Sequence, residues 1–123
     1  MISMKKTIII FNDYYLPAKN YGGPTTSIKN LIDNLNDFFE IRIVVKNHDF
    51  NEKKVFENIT SGWNTVGNAK VMYLSDEEYN TKKIMQILNM YKPNLIYFSG
   101  VYSIFNLKII SKAKKIGTKV LIC

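Results

Sequence analysis

The fold is decided by residues 8–35, IIIFNDYYLPAKNYGGPTTSIKNLIDNL. Residues 8–11 form a continuous apolar run, which is typical of a strand buried on both faces in the middle of a parallel sheet. Apolar residues then recur at helical spacing at Ile28, Leu31, Ile32 and Leu35. The stretch therefore predicts a central strand of an α/β fold, a polar loop that ends in Gly22-Gly23, and an amphipathic helix that begins near Pro24.

Strand and helix patterns alternate along the rest of the chain. Predicted strands cover residues 6–12, 40–46, 70–74, 95–99 and 120–123, and predicted helices cover residues 24–38, 75–91 and 104–116. Ser75 and Glu78 form a capping-box pattern, Pro93 ends the second helix, and Gly117 caps the third. The polar stretch 47–68 has no sustained period. Because helices between successive strands require crossover connections, we expect a Rossmann-like three-layer α/β sandwich with a mostly parallel sheet of about five strands.

The composition is that of one globular domain. The 123 residues are 46% hydrophobic and 22% charged, and no apolar stretch approaches the roughly 18 residues needed to span a bilayer. The apolar run after Lys5 and Lys6 is too short for a signal peptide, so we expect a cytoplasmic protein. Cys123 is the one cysteine, so neither an internal disulfide nor a multi-cysteine metal site is expected, and no metal or cofactor is predicted.

The net charge of +7 comes from lysines scattered over different predicted elements. Solvated faces explain this distribution best. A weaker alternative is peripheral contact with anionic lipid headgroups, or with a diphosphate-linked substrate. No helix-turn-helix, zinc or RNA-binding aromatic motif accompanies the charge, so nucleic acid is not an expected partner.

The C-terminal residues 119–123 predict a strand without a following helix. In a doubly wound fold both faces of the sheet must be covered. We therefore expect either that the chain is the front part of a larger protein, or that this exposed edge pairs with another copy in a homo-oligomer.

Three segments resemble the N-terminal domain of family 4 glycosyltransferases, the retaining two-domain enzymes of the GT-B fold. They are Tyr21-Gly22-Gly23 after the first strand, Gly62-Trp63-Asn64 before the third, and Lys92-Pro93-Asn94 leading into residues 95–99 and Gly100. The resemblance covers nearly all of residues 1–123, but only the N-terminal domain of the family. It implies that the C-terminal nucleotide-sugar domain is absent from this sequence.

The resemblance also implies a site. The family's glycine-bearing loop lines the cleft near the donor diphosphate and the acceptor, which here implies Tyr21, Gly22 and Gly23. Glycine allows backbone N–H groups to approach a phosphate, and the following helix directs its positive end there. The alternative is a tight turn that needs glycine for its dihedral angles. Where many members have a histidine at the end of the fourth strand, this chain has Ser99, which can hydrogen-bond a hydroxyl but carries no charge.

Further acceptor-side candidates are Asn12, Asp13, His48, Gly100 and Tyr102. Asn12 and Asp13 lie at the end of the first strand, where the alternative is an Asx turn. His48 precedes Asp49, and a His-Asp pair can orient a general base, although a lone histidine in a polar loop is more often simply exposed. Trp63 either fastens the long loop or contacts the acceptor.

The resemblance implies transfer of a sugar from a nucleotide sugar to a cell-surface glycan or a lipid-linked acceptor, at the inner face of the membrane. The chain alone is expected to be inactive, because it requires the missing C-terminal domain or a separate donor-binding chain. A flavodoxin-like or receiver-like binding or signalling domain is the alternative. A receiver requires an acidic cluster after the first strand, where Asp13 is alone, and an aspartate at the end of the third, where Asp76 is a poor match.

Overall fold

A computed structural model describes residues 5–19, 22–98, 111, 114, 115 and 118–122. Six strands and two helices are described with their bounds: β1 (Lys6–Phe11), α1 (Gly22–Leu35), β2 (Phe39–Lys46), β3 (Trp63–Val66), β4 (Ala69–Leu74), α2 (Thr81–Tyr91), β5 (Leu95–Phe98) and β6 (Lys119–Ile122). All five predicted strands are present, and no bound differs from the predicted one by more than one residue. The α/β class is confirmed.

The six strands form one sheet in the order β3-β4-β2-β1-β5-β6. Every neighbouring pair is parallel except β3 and β4. β1 lies between β2 and β5, and its residues Ile8, Ile9 and Ile10 are at most 4% exposed. The prediction of a central β1 in a mostly parallel sheet is therefore confirmed.

β3 was not predicted, because it lies in the polar stretch without a sustained period. It pairs antiparallel with β4 through a two-residue loop, Gly67-Asn68, in which Val66 pairs with Ala69. Gly67 has a φ of +58°, a conformation that glycine adopts without the steric cost paid by other residues. The turn thus adds a short sixth strand at the edge of the sheet.

The two helices cover opposite faces of the sheet. On one face, Ile28 and Ile32 of α1 belong to a core cluster with Ile10 and Ile43. On the other face, the α2 residues Ile84, Ile87 and Leu88 belong to a cluster with Ile9, Val44 and Ile96. Alternate residues of β1 contribute to the two clusters because successive strand side chains point to opposite faces.

Both helix starts differ from the predicted ones. α1 begins at Gly22 and ends at Leu35, rather than covering residues 24–38. α2 begins at Thr81, where the side chain of Asn80 accepts a hydrogen bond of 2.9 Å from the backbone N–H of Lys83. Ser75 and Glu78 form both capping-box hydrogen bonds, each 3.1 Å long, but within a turn that precedes the helix. The prediction that α2 starts at residue 75 was wrong.

α2 ends as the sequence predicts. Lys92 follows the last helical residue with a φ of +43°, and its N–H donates to the carbonyl of Leu88. Pro93 comes next. The predicted helix 104–116 and its cap Gly117 lie outside the described residues, apart from Ser111, Lys114 and Lys115, which are helical. Of the helices that are described, none has the length and apolar character required to cross a membrane.

Candidate functional site

The carboxyl ends of the parallel strands meet at one edge of the sheet, which we call the carboxyl edge. Asn12 and Asp13 follow β1 there, His48 follows β2, and Asp76 follows β4. β1 is also the strand at which the order of the sheet reverses, since the chain continues to β2 on one side and later to β5 on the other. In open α/β sheets, ligands bind outside the carboxyl ends of the strands at such a reversal.

His48 and Asp76 form an ion pair across this edge. The Nε2 atom of His48 lies 2.7 Å from Oδ1 of Asp76, and its Nδ1 atom lies 2.9 Å from the backbone carbonyl oxygen of Asp49. Both partners are acceptors, so both ring nitrogens donate and the imidazolium form is favoured. The hydrogen bond to Asp76 raises the pKa of His48 above its usual range, and the same bond lowers the pKa of Asp76.

The carboxylate beside the imidazole is therefore that of Asp76, and not that of Asp49 as the sequence suggested. Asp49 is buried. Its carboxylate accepts hydrogen bonds from the backbone N–H groups of Lys19, at 2.8 Å, and Phe50, at 2.7 Å. The bond from Lys19 fastens the loop after β1 to the loop after β2, so Asp49 shapes the site without presenting its carboxylate to solvent.

An aromatic ring and a second cation complete the site. Lys46 Nζ lies 3.9 Å from Oδ1 of Asp76 and 5.7 Å from the centre of the Tyr14 ring. The Tyr14 ring also contacts His48 edge to face, with 6.0 Å between the ring centres. We call Tyr14, Lys46, His48 and Asp76 the carboxyl-edge cluster. It places two cationic donors and a 59% exposed carboxylate beside one aromatic ring.

The side chain of Asn12 is buried, whereas that of Asp13 is exposed. Asn12 is 5% exposed, and its side-chain Nδ2 donates to the backbone carbonyl of Tyr14 at 2.7 Å. Its own carbonyl accepts from the Tyr79 hydroxyl at 3.1 Å, and burial raises the pKa of that hydroxyl, which stays protonated. Asp13 is exposed. The local bond of Asn12 favours a structural role for it, while Asp13 is available to a ligand.

The glycine pair belongs to α1. Gly22 and Gly23 are the first two helical residues, so the backbone there does not need the left-handed conformation that a tight turn would require. Because α1 follows β1, its N-terminus lies at the carboxyl edge. Four other predicted site residues, Tyr21, Ser99, Gly100 and Tyr102, lie outside the described residues.

A cavity of about 320 Å³ opens beside the loop after β1. Leu16, Pro17 and Tyr73 provide apolar walls, and Glu57 and Thr65 provide polar ones. The peptide bond between Leu16 and Pro17 is cis, and the Leu16 carbonyl accepts a hydrogen bond from the Tyr73 hydroxyl. The volume of this cavity lies in the range of small-molecule binding sites.

Trp63 has a packing role. The Arg42 guanidinium lies 4.7 Å from the centres of both the Trp63 and the Tyr91 rings, and the indole N–H donates to the Tyr91 hydroxyl. These contacts tie β3 to α2, which favours the structural alternative for this tryptophan over an acceptor contact.

Sequence reasoning missed Lys46 and Asp76. Both could have been recognised as site residues from their positions. Lys46 ends the predicted strand 40–46, and Asp76 lies two residues after the predicted strand 70–74. The arrangement offers the carboxylates of Asp13 and Asp76 and the ammonium group of Lys46 to a polar ligand. In the described part of the chain, no group of three or more His, Cys, Asp or Glu residues could hold a metal ion.

Comparisons of the chain with protein-family models, curated proteins and solved structures find no match. The family resemblance therefore stands on the sequence segments alone.

Proposed function

We propose that this chain is the acceptor-side, N-terminal domain of a retaining family 4 glycosyltransferase. The complete enzyme would transfer a sugar from a nucleotide sugar to a cell-surface glycan or a lipid-linked acceptor, in the cytoplasm at the inner face of the membrane. The observation that carries the proposal is the carboxyl-edge cluster, which lies next to the strand where the order of the sheet reverses. This is the expected ligand position in an open α/β sheet.

The order of the parallel strands supports a Rossmann-like three-layer sandwich. Numbered along the chain, the parallel strands lie in the order third, second, first, fourth and fifth. The dinucleotide-binding Rossmann fold begins with this order, whereas flavodoxin-like and receiver-like domains have the order second, first, third, fourth and fifth. The strand order thus favours the glycosyltransferase-like architecture over the signalling alternative.

The chemistry of the cluster suits a polyhydroxylated ligand. The carboxylates of Asp13 and Asp76 accept hydrogen bonds from hydroxyl groups, and Lys46 donates them. The Tyr14 ring is buried and packs against Lys46 and His48, so it holds these two side chains in place. The cavity beside the loop after β1 has both apolar and polar walls.

The remaining predicted residues have roles only within this proposal. Tyr21, Gly22 and Gly23 would approach the donor diphosphate at the N-terminus of α1, and Ser99, Gly100 and Tyr102 would contact the acceptor. The nucleotide-sugar pocket would come from a C-terminal domain or a separate donor-binding chain. The isolated chain would therefore bind an acceptor without transferring sugar.

Ligand-dependent thermal unfolding tests the proposal. A ligand at 100 times its dissociation constant stabilises the folded state by about 2.7 kcal/mol. We expect stabilisation by a member of an oligosaccharide panel, loss of that stabilisation in Asp13→Ala, and no loss in Asp37→Ala, which removes an exposed carboxylate at the opposite edge. Stabilisation by flavin mononucleotide, or by magnesium with beryllium fluoride, would instead support the alternative class, and sugar transfer by the isolated chain would contradict an incomplete half.

A further inference from the structure

The loop after β2 folds back on itself at the carboxyl edge. His48 and Val55 form an antiparallel bridge, and the backbone N–H of Phe56 donates to the carbonyl of Asn47 at 2.9 Å. Residues 47–56 therefore form a short hairpin, which we call the β2 hairpin. Because His48 also belongs to the carboxyl-edge cluster, the tip of this hairpin lies beside that cluster.

The tip of the β2 hairpin holds Phe50 in a fixed position. The N–H of Glu52 donates to the carbonyl of Asp49 at 3.1 Å, which closes a turn with Phe50 and Asn51 at its centre. Asn51 has a φ of +60°, a conformation that asparagine adopts more readily than most residues. The buried carboxylate of Asp49 accepts a hydrogen bond of 2.7 Å from the N–H of Phe50. Both the turn and this carboxylate thus fix the backbone of Phe50.

The Phe50 side chain is 39% exposed. Its ring packs nearly perpendicular to the buried ring of Tyr14, with 5.9 Å between the ring centres. The other exposed large apolar side chains of the described residues are Phe38, Val55 and Met90, and Phe38 lies at the opposite edge of the sheet, between α1 and β2. Among these exposed side chains, Phe50 is the aromatic one at the carboxyl edge.

Single exposed apolar residues are ordinary on protein surfaces, but Phe50 has polar groups of the carboxyl-edge cluster nearby. Lys46 Nζ lies 5.7 Å from the centre of the Tyr14 ring. Since the Phe50 ring and Lys46 Nζ each lie within 6 Å of that centre, they are no more than about 12 Å apart. Lys46 in turn lies 3.9 Å from the exposed carboxylate of Asp76. An apolar ring and hydrogen-bonding groups are therefore available to the same ligand.

We propose that Phe50 is the aromatic platform of the saccharide site, on which a pyranose ring of the acceptor stacks. A pyranose carries hydroxyl groups around its rim and C–H groups on its faces. The electron-rich face of an aromatic ring attracts such C–H groups, while Asp76 and Lys46 bind hydroxyl groups of the same sugar unit or of the next one. Because the backbone of Phe50 is already fixed, little order is lost on binding.

The inference rests on the proposed function, because it takes a saccharide as the ligand, and it adds a preference among sugars. Stacking requires a ring with a continuous face of C–H groups. Gluco- and galacto-configured β-pyranosides have such a face. Sorbitol carries the hydroxyl groups of glucose on an open chain and lacks it.

A ¹H NMR titration tests the inference with methyl β-glucopyranoside, methyl β-galactopyranoside, cellobiose and lactose. We expect one or more of these saccharides to bind, with an upfield shift of its ring C–H protons caused by the Phe50 ring, and we expect no binding of sorbitol. Phe50→Leu keeps an apolar contact with Tyr14 but removes the aromatic face. It should abolish the upfield shift and weaken binding about tenfold. Phe50→Trp should retain both.

The matched control is Phe38→Leu, which removes an exposed phenylalanine from the opposite edge of the sheet and should leave the affinity within about twofold. Saccharide binding at the carboxyl edge with equal affinity in Phe50→Leu would overturn the inference and leave the proposed function intact. No binding of the four saccharides would also overturn it. The proposed function would fail with it only if a wider oligosaccharide panel also left the carboxyl edge unshifted. Circular dichroism melts check that each variant is folded, and Phe50→Trp keeps the inference open to refutation if Phe50→Leu unfolds.

Discussion

The imidazole Nε2 of His48 lies 2.7 Å from the carboxylate Oδ1 of Asp76, and this bond joins the loop after β2 to the loop after β4. The two residues are 28 positions apart in the chain. β2 and β4 are neighbours in the sheet, with Lys46 opposite Leu74, so their loops emerge side by side. The pair fixes the local geometry of the carboxyl edge.

Replacing Asp76 with Asn should lower the pKa of His48. The hydrogen bond from the ring to the Asp76 carboxylate is the largest cause of the raised pKa, and a neutral amide does not stabilise the imidazolium in the same way. The chain has one histidine, so an NMR titration of its ring protons measures this pKa directly. Asp37→Asn is the control, and an unchanged His48 pKa in Asp76→Asn would refute the assigned pair.

The same pair predicts a pH dependence of stability. Folding raises the pKa of His48, so its contribution is complete below about pH 6.5 and is lost as the pH rises through the folded-state pKa. Folding lowers the pKa of Asp76, so its contribution is present above about pH 3.9 and is lost as the pH falls through the folded-state pKa. The pair therefore contributes most to the free energy of unfolding between about pH 3.9 and pH 6.5.

Because Asp76 is largely exposed, we expect the pair to contribute about 0.5 kcal/mol to the free energy of unfolding. Urea unfolding of the unmodified chain and Asp76→Asn should show this difference at pH 5.5 and almost none at pH 9. A difference of equal size at both pH values would mean that the substitution acts through something other than the ion pair.

The observed start of α2 predicts which cap matters for stability. Asn80→Ala removes the acceptor for the backbone N–H of Lys83 and should lower the free energy of unfolding by about 1 kcal/mol. Ser75→Ala acts only on the exposed turn before the helix and should cost less. Urea unfolding of the two variants compares them, and a larger loss in Ser75→Ala would indicate that the helix begins at the capping box.

Arg42→Lys should destabilise the fold by about 1 kcal/mol, although the charge is kept. A lysine ends in a tetrahedral ammonium and lacks the planar guanidinium that lies 4.7 Å from the centres of the Trp63 and Tyr91 rings, so the cation–π contacts weaken. Trp63 is the one tryptophan, so its fluorescence reports both unfolding and the local change. Lys70→Arg, at the position paired with Arg42 on β4, is the control and should change stability by less than about 0.5 kcal/mol. Equal effects of the two substitutions would exclude a specific role for the guanidinium in these contacts.

The features that could be predicted from the sequence are those set by local pattern. The apolar residues 8–11 identify β1 as central, and the spacing of Ile84, Ile87 and Leu88 identifies the buried side of α2. Asp13 and His48 each follow a predicted strand, and this position was enough to predict that both lie at the carboxyl edge of the sheet.

The remaining features depend on contacts between distant residues. The four residues of β3 become a strand only because β4 supplies their hydrogen-bond partners. The pairing of His48 with Asp76, rather than with the adjacent Asp49, follows from the neighbouring positions of β2 and β4, which no local pattern specifies. At α2, two competing caps lie within six residues, and the capping-box pattern at Ser75 forms its own bonds without starting the helix.

The most direct test of the central claim is to map where saccharides bind by ¹H–¹⁵N NMR of the labelled chain. A panel of common hexoses, N-acetylhexosamines and their oligosaccharides provides the probes. The account predicts that a member of the panel shifts amide signals at residues 12–15, 46–50 and 75–79, and that Asp13→Ala removes those shifts. Shifts confined to other surfaces, or no shift at the carboxyl edge with any saccharide in the panel, would contradict it.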